Sequence, residues 1–372
     1  MEFHLWECYN PEKISVELNE EYSKKIKKLV KNKVSFVAKS LKIEPARLYD
    51  YFIYHSLPIP LHVLLNLSKM FNLCLEDIEK SIVLYKQLYV PLKNSVRRPK
   101  LPIEIHPYLT SIVANLFFDG SVPKDGRGTY YNQKNQEIMD DFLGKIKFIF
   151  GNVYYSCKLD HRGVLKCRIP RIIGEICRTL YSIKNFGTFD ARIPKLVFDL
   201  NHENKAAFVL SGIVDEGSIA YDGSIIFGVS NNLLCTDFKN LCNEIGLETT
   251  NIKQKKGGDH FYLYIKSQKK LLEILETLHK IYPFISLGPK AERLKKALEI
   301  KNQKKIYGVA FGRERRDLIL LEIQKKDCSV NYLSHNLLVP PRTIRRYMYH
   351  FIKEKKVSRT KTGNEFLYRY LG

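Results

Sequence analysis

Apolar and polar positions along this chain fall into one order of elements that occurs twice. The run Ser111-Ile112-Val113-Ala114-Asn115-Leu116-Phe117-Phe118-Asp119-Gly120-Ser121-Val122 reads as a buried helix that stops at an acid, turns at a glycine and enters a strand. Behind it come an aromatic strand (Thr129-Tyr130-Tyr131), an amphipathic helix over 136–146, a hairpin over 153–169 and a closing helix over 171–183. The run Phe208-Val209-Leu210-Ser211-Gly212-Ile213-Val214-Asp215-Glu216-Gly217-Ser218-Ile219 repeats the first signal. A strand over 224–229, a helix over 233–245, a hairpin over 248–265 and a helix over 268–281 follow it. The order helix-strand-strand-helix-strand-strand-helix is therefore expected twice, period-2 and period-3.6 stretches alternating in step. Small residues, Ala114 and Ser211, would let the two apolar helices pack side by side, bringing their terminal acids, Asp119 and Glu216, to one end of the pair.

Over residues 105–285 these motifs resemble the LAGLIDADG homing endonucleases, in the single-chain form that carries both halves. The stretch Ala191-Arg192-Ile193-Pro194-Lys195-Leu196-Val197-Phe198, continuing through Lys205-Ala206-Ala207-Phe208, looks like the family's lead-in to its second motif helix. The first copy departs from the family pattern at Asn115 and Phe117, and the second carries Glu at the acid position. The resemblance implies an α+β fold of two pseudo-symmetric αββαββα half-domains, 105–185 and 190–285, that form a DNA-binding saddle. It further implies that Asp119 and Glu216 are catalytic acids and Mg²⁺ (or Mn²⁺) ligands, each serving one strand of double-stranded DNA. Two hard carboxylates suit such an ion, which activates water and neutralises the phosphate. Asp215, about 100° around the helix from Glu216, is expected to face a neighbour. Lys166 fits the family's basic residue near the end of the last strand in the first half; the second half offers Tyr264 and Lys266 near that place. Strands alternate their side chains between two faces, and the candidate saddle contacts are Lys124, Arg127, Tyr130, Lys158, Arg162, Lys253, Lys255 and Lys256.

Two flanking regions extend the organisation. Residues 1–90 carry amphipathic segments over 22–31, 34–43, 45–52, 60–71 and 75–85, expected as a helical helix-turn-helix-like domain with Arg47 on its DNA-facing helix, or as a plain packing bundle. Residues 313–372 are expected as a winged helix, with Arg342, Arg345 and Arg346 on its third helix and Arg359 and Lys361 on its wing. A basic, proline-containing linker over 87–104 and a charged helical linker over 286–312, the latter a stiff arm, would join the parts.

Charge agrees with a polyanionic partner: 61 Lys and Arg against 39 acids give a net +22. Eight cysteines without a Cys-x-x-Cys pair read as thiols in a reducing compartment, with no zinc site and no disulfide frame. There is no secretion signal, and no apolar stretch reaches the roughly 18 residues a membrane span requires, so a cytoplasmic protein is expected. The chain lacks the His-Asn end that splicing requires, which argues against an intein. Internal pseudo-twofold symmetry points to a monomer. Three functions remain open: a site-specific, metal-dependent DNA endonuclease; a LAGLIDADG protein that binds DNA without cutting it, as a transcription regulator; and an RNA-processing factor.

Overall fold

Two helices, Pro107–Phe117 and His202–Glu216, lie against each other through the most extensive helix–helix contact among the described residues. Every residue of the first is buried, as expected of a helix that is apolar on all sides. The second ends in Glu216 and the first stops two residues before Asp119, and each acid is followed by a glycine where the chain folds straight back: a Cβ on Gly120 would run into the Leu116 backbone, and one on Gly217 into Ile213 O. The structure is a computed structural model. It describes all residues except 1, 9, 89–90, 92–93, 124–127, 187–189, 221–222, 307–310, 338 and 364, with the side chains of 300–306 and 311–314 also undescribed.

Each of these helices feeds a four-stranded antiparallel sheet. In the first, the strands lie in the order Ser156–Leu159, Leu165–Ile169, Thr129–Gln133, Gly120–Ser121. In the second the order is Gly217–Ile219, Ile225–Val229, Phe261–Ile265, Lys253–Gln254. Helices Gln136–Phe150 and Arg171–Leu180 complete the first set, Asn232–Glu244 and Gln268–Ile281 the second. The outcome is a mixed helix and sheet molecule.

The N-terminal region departs from an all-helical bundle. Residues 75–85, expected as one helix, form the helix Leu75–Lys80 and then the strand Ile82–Gln87. Ser81 ends the helix by donating its hydroxyl to Ile78 O at 2.6 Å, and the β-branched and aromatic residues beyond it prefer a sheet. That strand sits within a five-stranded sheet that also takes in Ser95–Arg97, inside the expected linker, and Asn152–Val153 from beyond Gln136–Phe150. The segment from 45 is helical only over Pro45–Leu48 before a π-helical turn, Tyr49–Ile53. One continuous apolar core consequently runs from Phe3 to Leu294.

His4 ties the N-terminal strand Glu2–Phe3 to this region. Its Nδ1 lies 2.8 Å from Glu79 Oε2, Leu5 N donates to Glu79 Oε1, and its ring stacks on Trp6 at 4.3 Å. The Glu79 hydrogen bond, with smaller help from nearby acids and against some burial, raises the His4 pKa above its ordinary 6.5. Protonation therefore strengthens the clasp: its added stability is present below pH 6.5 and is lost as pH rises through the folded value. Because the chain has a single tryptophan, fluorescence should titrate with a midpoint above 6.5 that falls in Glu79→Gln. An unchanged midpoint would remove Glu79 as the cause.

At the other end, helices Phe311–Lys325, Val330–Leu337 and Pro341–Lys353 and the strands Cys328–Ser329, Val357–Thr362 and Glu365–Tyr370 enclose a separate small core around Ile319, Leu333, Ile344, Met348 and Phe351. The helix Pro289–Ile306 that leads toward them is not a free arm. Leu294 and Ala297 on its first half are buried, and Ala297 occupies the space a Cβ on Gly223 would need. Among the described residues no helix is long and apolar enough to cross a membrane.

Candidate acid cluster and nucleic-acid faces

The polar residues between the two central helices form a chain of hydrogen bonds. Ser111 Oγ and Ser211 Oγ are 2.6 Å apart, and the buried Lys145 donates to Ser111 Oγ (2.9 Å) and Asn115 Oδ1 (2.8 Å). Asn115 Nδ2 then donates to Asp215 Oδ2 (2.9 Å), while Tyr131 OH donates to Asp215 Oδ1 (2.7 Å). Tyr131 is held by stacking on Phe142 at 4.3 Å. Burial lowers the Lys145 pKa to about 8, and burial together with the negative charge of Asp119 raises that of Asp215 to about 8. Lys145 follows Ile138 and Phe142 on the apolar stripe of its helix, a visible sequence signal that a cation enters the core.

One residue before its acid, the first copy carries Phe118 where the second carries Asp215. Phe118 packs edge-on against Phe227 at 5.6 Å and Phe238 at 6.2 Å. It fills the space beside Gly212, where an added Cβ would meet it at 2.9 Å. The two sides of the helix pair thus differ: an aromatic ring against glycine on one, a carboxylate against asparagine and tyrosine on the other. Asp215→Asn keeps an acceptor and removes the buried charge. It should leave stability near pH 4 little changed and raise it increasingly as pH climbs to about 8, by at least about 1 kcal/mol, measured by urea denaturation; a loss at both ends of that range would contradict a strained carboxylate.

Asp119 and Glu216 come together as their motifs imply. Asn132 holds the Asp119 backbone, with N and Nδ2 donating to Asp119 O at 3.2 and 3.0 Å. Burial raises the Asp119 pKa to about 6. Burial and the adjacent Asp119 raise that of Glu216 to about 7. The charge facing these acids comes from a residue absent from the sequence expectations, Lys290, in the first turn of Pro289–Ile306. Its Nζ donates to Ile213 O (2.9 Å), Gly217 O (2.6 Å) and Val214 O, so all three ammonium protons meet carbonyls at the end of the second acid helix. Helix C-termini carry free carbonyls and partial negative charge, which makes this a favourable place for a cation. Burial lowers the Lys290 pKa while Asp215, Asp119 and Glu216 oppose that shift. Arg293, one turn on, donates to Ile219 O at 3.1 Å.

These residues do not fit a divalent ion as they stand. Among the described residues no three His, Cys, Asp or Glu side chains gather to hold one, although Mg²⁺ can be held by one or two carboxylates. The decisive feature is that a protein cation, Lys290, already compensates Asp119 and Glu216.

Strand register shows which side chains of the two four-stranded sheets face outward. On the first sheet Tyr131, Cys167 and Ile169 are buried, so the opposite face carries the rows Ser156–Arg168–Tyr130 and Lys158–Lys166–Asn132. Lys166 and Arg168 lie over the Tyr130 ring, at 4.6 and 5.9 Å; Arg168 was not among the expected contacts. On the second sheet Phe227, Leu263 and Ile265 are buried and Ile226, Tyr262, Tyr264 and Lys253 face outward. Ile169 pairs with Thr129 and Ile265 with Ile225, so the place of Lys166 is taken in the second half by Tyr262, not by Tyr264 or Lys266. Lys253, Lys255 and Lys256 are exposed; Arg162 is exposed but paired with Asp160 at 3.1 Å. Lys124 and Arg127 lie outside the described residues. Arg47, Arg342, Arg345, Arg346, Arg359 and Lys361 are all exposed on their own units, with Arg359 over Phe366 at 4.5 Å.

No family model matches the chain, and no curated protein matches it. Among solved structures it is similar to full-length DUF199/WhiA from Thermatoga maritima, at 12% identity over 67% of this chain and 90% of that one, TM-score 0.37. It is also similar to the homing endonuclease I-DmoI in complex with DNA and Ca, at 13% identity over 51% of this chain and 97% of that one, TM-score 0.35. The N-terminal LAGLIDADG domain of DUF199/WhiA is a third, at 12% identity over 48% and 86%, TM-score 0.34. None of these likenesses assigns a role to a residue of this chain.

Proposed function

We propose that this protein binds double-stranded DNA through a two-half, LAGLIDADG-type saddle without cutting it, assisted by a helix-turn-helix-like N-terminal region and a C-terminal winged helix. The net charge of +22 and the outward face of the first sheet, with Lys158, Lys166 and Arg168 in two adjacent rows, support a polyanionic partner. Binding rather than cutting rests on one observation: Lys290, tied to three backbone carbonyls, supplies the positive charge at the acid cluster. Pseudo-twofold symmetry within a monomer is supported by matched features of the two halves. The helices after the second strands are capped by Asn135 and Asn231, and Tyr131 stacks on Phe142 as Phe227 does on Phe238.

A second reading, double-strand cleavage with Mg²⁺ or Mn²⁺, is favoured by the retention of Asp119 and Glu216 side by side, where Asp119 disfavours the charge on Glu216. A plasmid assay separates the two. Salt-sensitive binding with intact supercoiled DNA in either metal supports the first reading. Linearisation at a discrete site, reduced to nicking in Asp119→Asn and in Glu216→Gln, overturns it. Preference for structured RNA over duplex DNA would promote the RNA-processing role.

A further inference from the structure

We propose that Cys157 and Cys167 form a reversible cross-strand disulfide that staples the outer strand of the first sheet. The two residues stand directly opposite each other on the antiparallel strands Ser156–Leu159 and Leu165–Ile169. Their thiols are within hydrogen-bonding reach. Which kind of facing pair they make follows from the ladder. At the hairpin end Asp160 N donates to Val164 O at 2.9 Å, so that pair is hydrogen-bonded, and bonded and non-bonded pairs alternate along antiparallel strands. Leu159–Leu165 is then non-bonded, Lys158–Lys166 bonded and Cys157–Cys167 non-bonded. The neighbouring strand confirms the phase: Asn132 N donates away from Lys166, to Asp119 O at 3.2 Å. Non-bonded pairs bring Cα atoms to roughly 4.5 Å with side chains converging, inside the roughly 4.4–6.8 Å that a disulfide spans.

Access and need point the same way. Cys157 is exposed while Cys167 lies beneath it with none of its surface open, so an external reagent reaches Cys157 first. A low-molecular-weight disulfide suffices as oxidant. The Cys157 thiolate attacks one of its sulfurs and expels a thiolate, forming a mixed disulfide. The Cys167 sulfur then attacks the Cys157 sulfur and expels the second thiolate, which takes up the Cys167 proton. The protein loses two electrons and two protons, and the oxidant becomes two thiols. Burial, which raises the Cys167 pKa, makes the second step the slow one. All four residues of Ser156–Leu159 are exposed, so this edge strand has little but its ladder to hold it. Its opposite face carries Lys158 beside Lys166, and fixing the strand fixes that cationic row.

The test uses the full chain, treated natively with oxidised glutathione, alkylated and digested, with exposed Cys74 marking completed exchange through its own mixed disulfide. The expected product is a Cys157–Cys167 linked peptide pair, absent in Cys157→Ser and reversed by dithiothreitol, with slower amide exchange over 156–159. Glutathione retained on Cys157, or both thiols free once Cys74 has reacted, overturns the proposal. A link that leaves exchange over 156–159 unchanged overturns the stapling. No nucleic acid enters these readouts, so failure here is distinct from failure of the DNA-binding reading.

Discussion

Lys290→Met is expected to lower the unfolding free energy by about 3 kcal/mol at pH 8, the order found when one partner of a buried charge group is removed. Methionine keeps much of the length of the side chain and its apolar packing, so the loss isolates the ammonium. Three carbonyls, of Ile213, Val214 and Gly217, lose their donor, and Asp119 and Glu216 lose the cation that lowers their pKa. The effect has a pH signature. An acid whose folded pKa lies above its unfolded value binds its proton more tightly when native, so stability falls as pH rises between those values. With folded values of about 6, 7 and 8 for Asp119, Glu216 and Asp215 against ordinary carboxylate values near 4, that window runs from about 4 to 8. Removing Lys290 should steepen the fall, so that the deficit of the variant narrows toward pH 5 in urea denaturation without vanishing. A difference below about 1 kcal/mol at pH 8, or one independent of pH, would reject Lys290 as the charge that holds the cluster.

Reversing the cationic row should have the largest effect on binding. The double variant Lys158→Glu, Lys166→Glu places two acids where the first sheet presents adjacent cations. Each phosphate contact adds about 0.9 to the slope of log affinity against log salt, so losing two should flatten that slope by about 2. Affinity for duplex DNA should fall at least about tenfold near 0.1 M salt, with further loss from repulsion. Fluorescence anisotropy across a salt series reads both quantities. An unchanged slope would move the binding surface off the first sheet and toward Arg342, Arg345 and Arg346.

How far the sequence carried depends on whether the governing contacts are local. The acid helices were legible because an apolar run closed by acid and glycine records its own burial and its own turn. Residues 75–85 were misread because a six-residue helix and a six-residue strand share one apolar stretch, and only pairing with distant strands separates them. The facing parity of the saddle strands was out of reach because a period of two fits either face until the helices show which is covered. Lys290 left no signal at all: a lysine after Gly288-Pro289 reads as a solvated helix start, and its partners lie more than seventy residues earlier. Lys145, by contrast, was missed although its place after Ile138 and Phe142 on an apolar stripe is a signal.

The unlike sides of the central helix pair also decide which halves can be joined. Phe118 needs the open space at Gly212, and Asp215 needs the donors on Asn115 and Tyr131. Two copies of the first half would drive Phe118 into Asn115, and two copies of the second would set Asp215 against Gly212 with no donor to meet it. Neither half can therefore rebuild this interface with its own twin. The arrangement commits the chain to carrying one of each, and makes its two-part architecture obligate rather than inherited convenience.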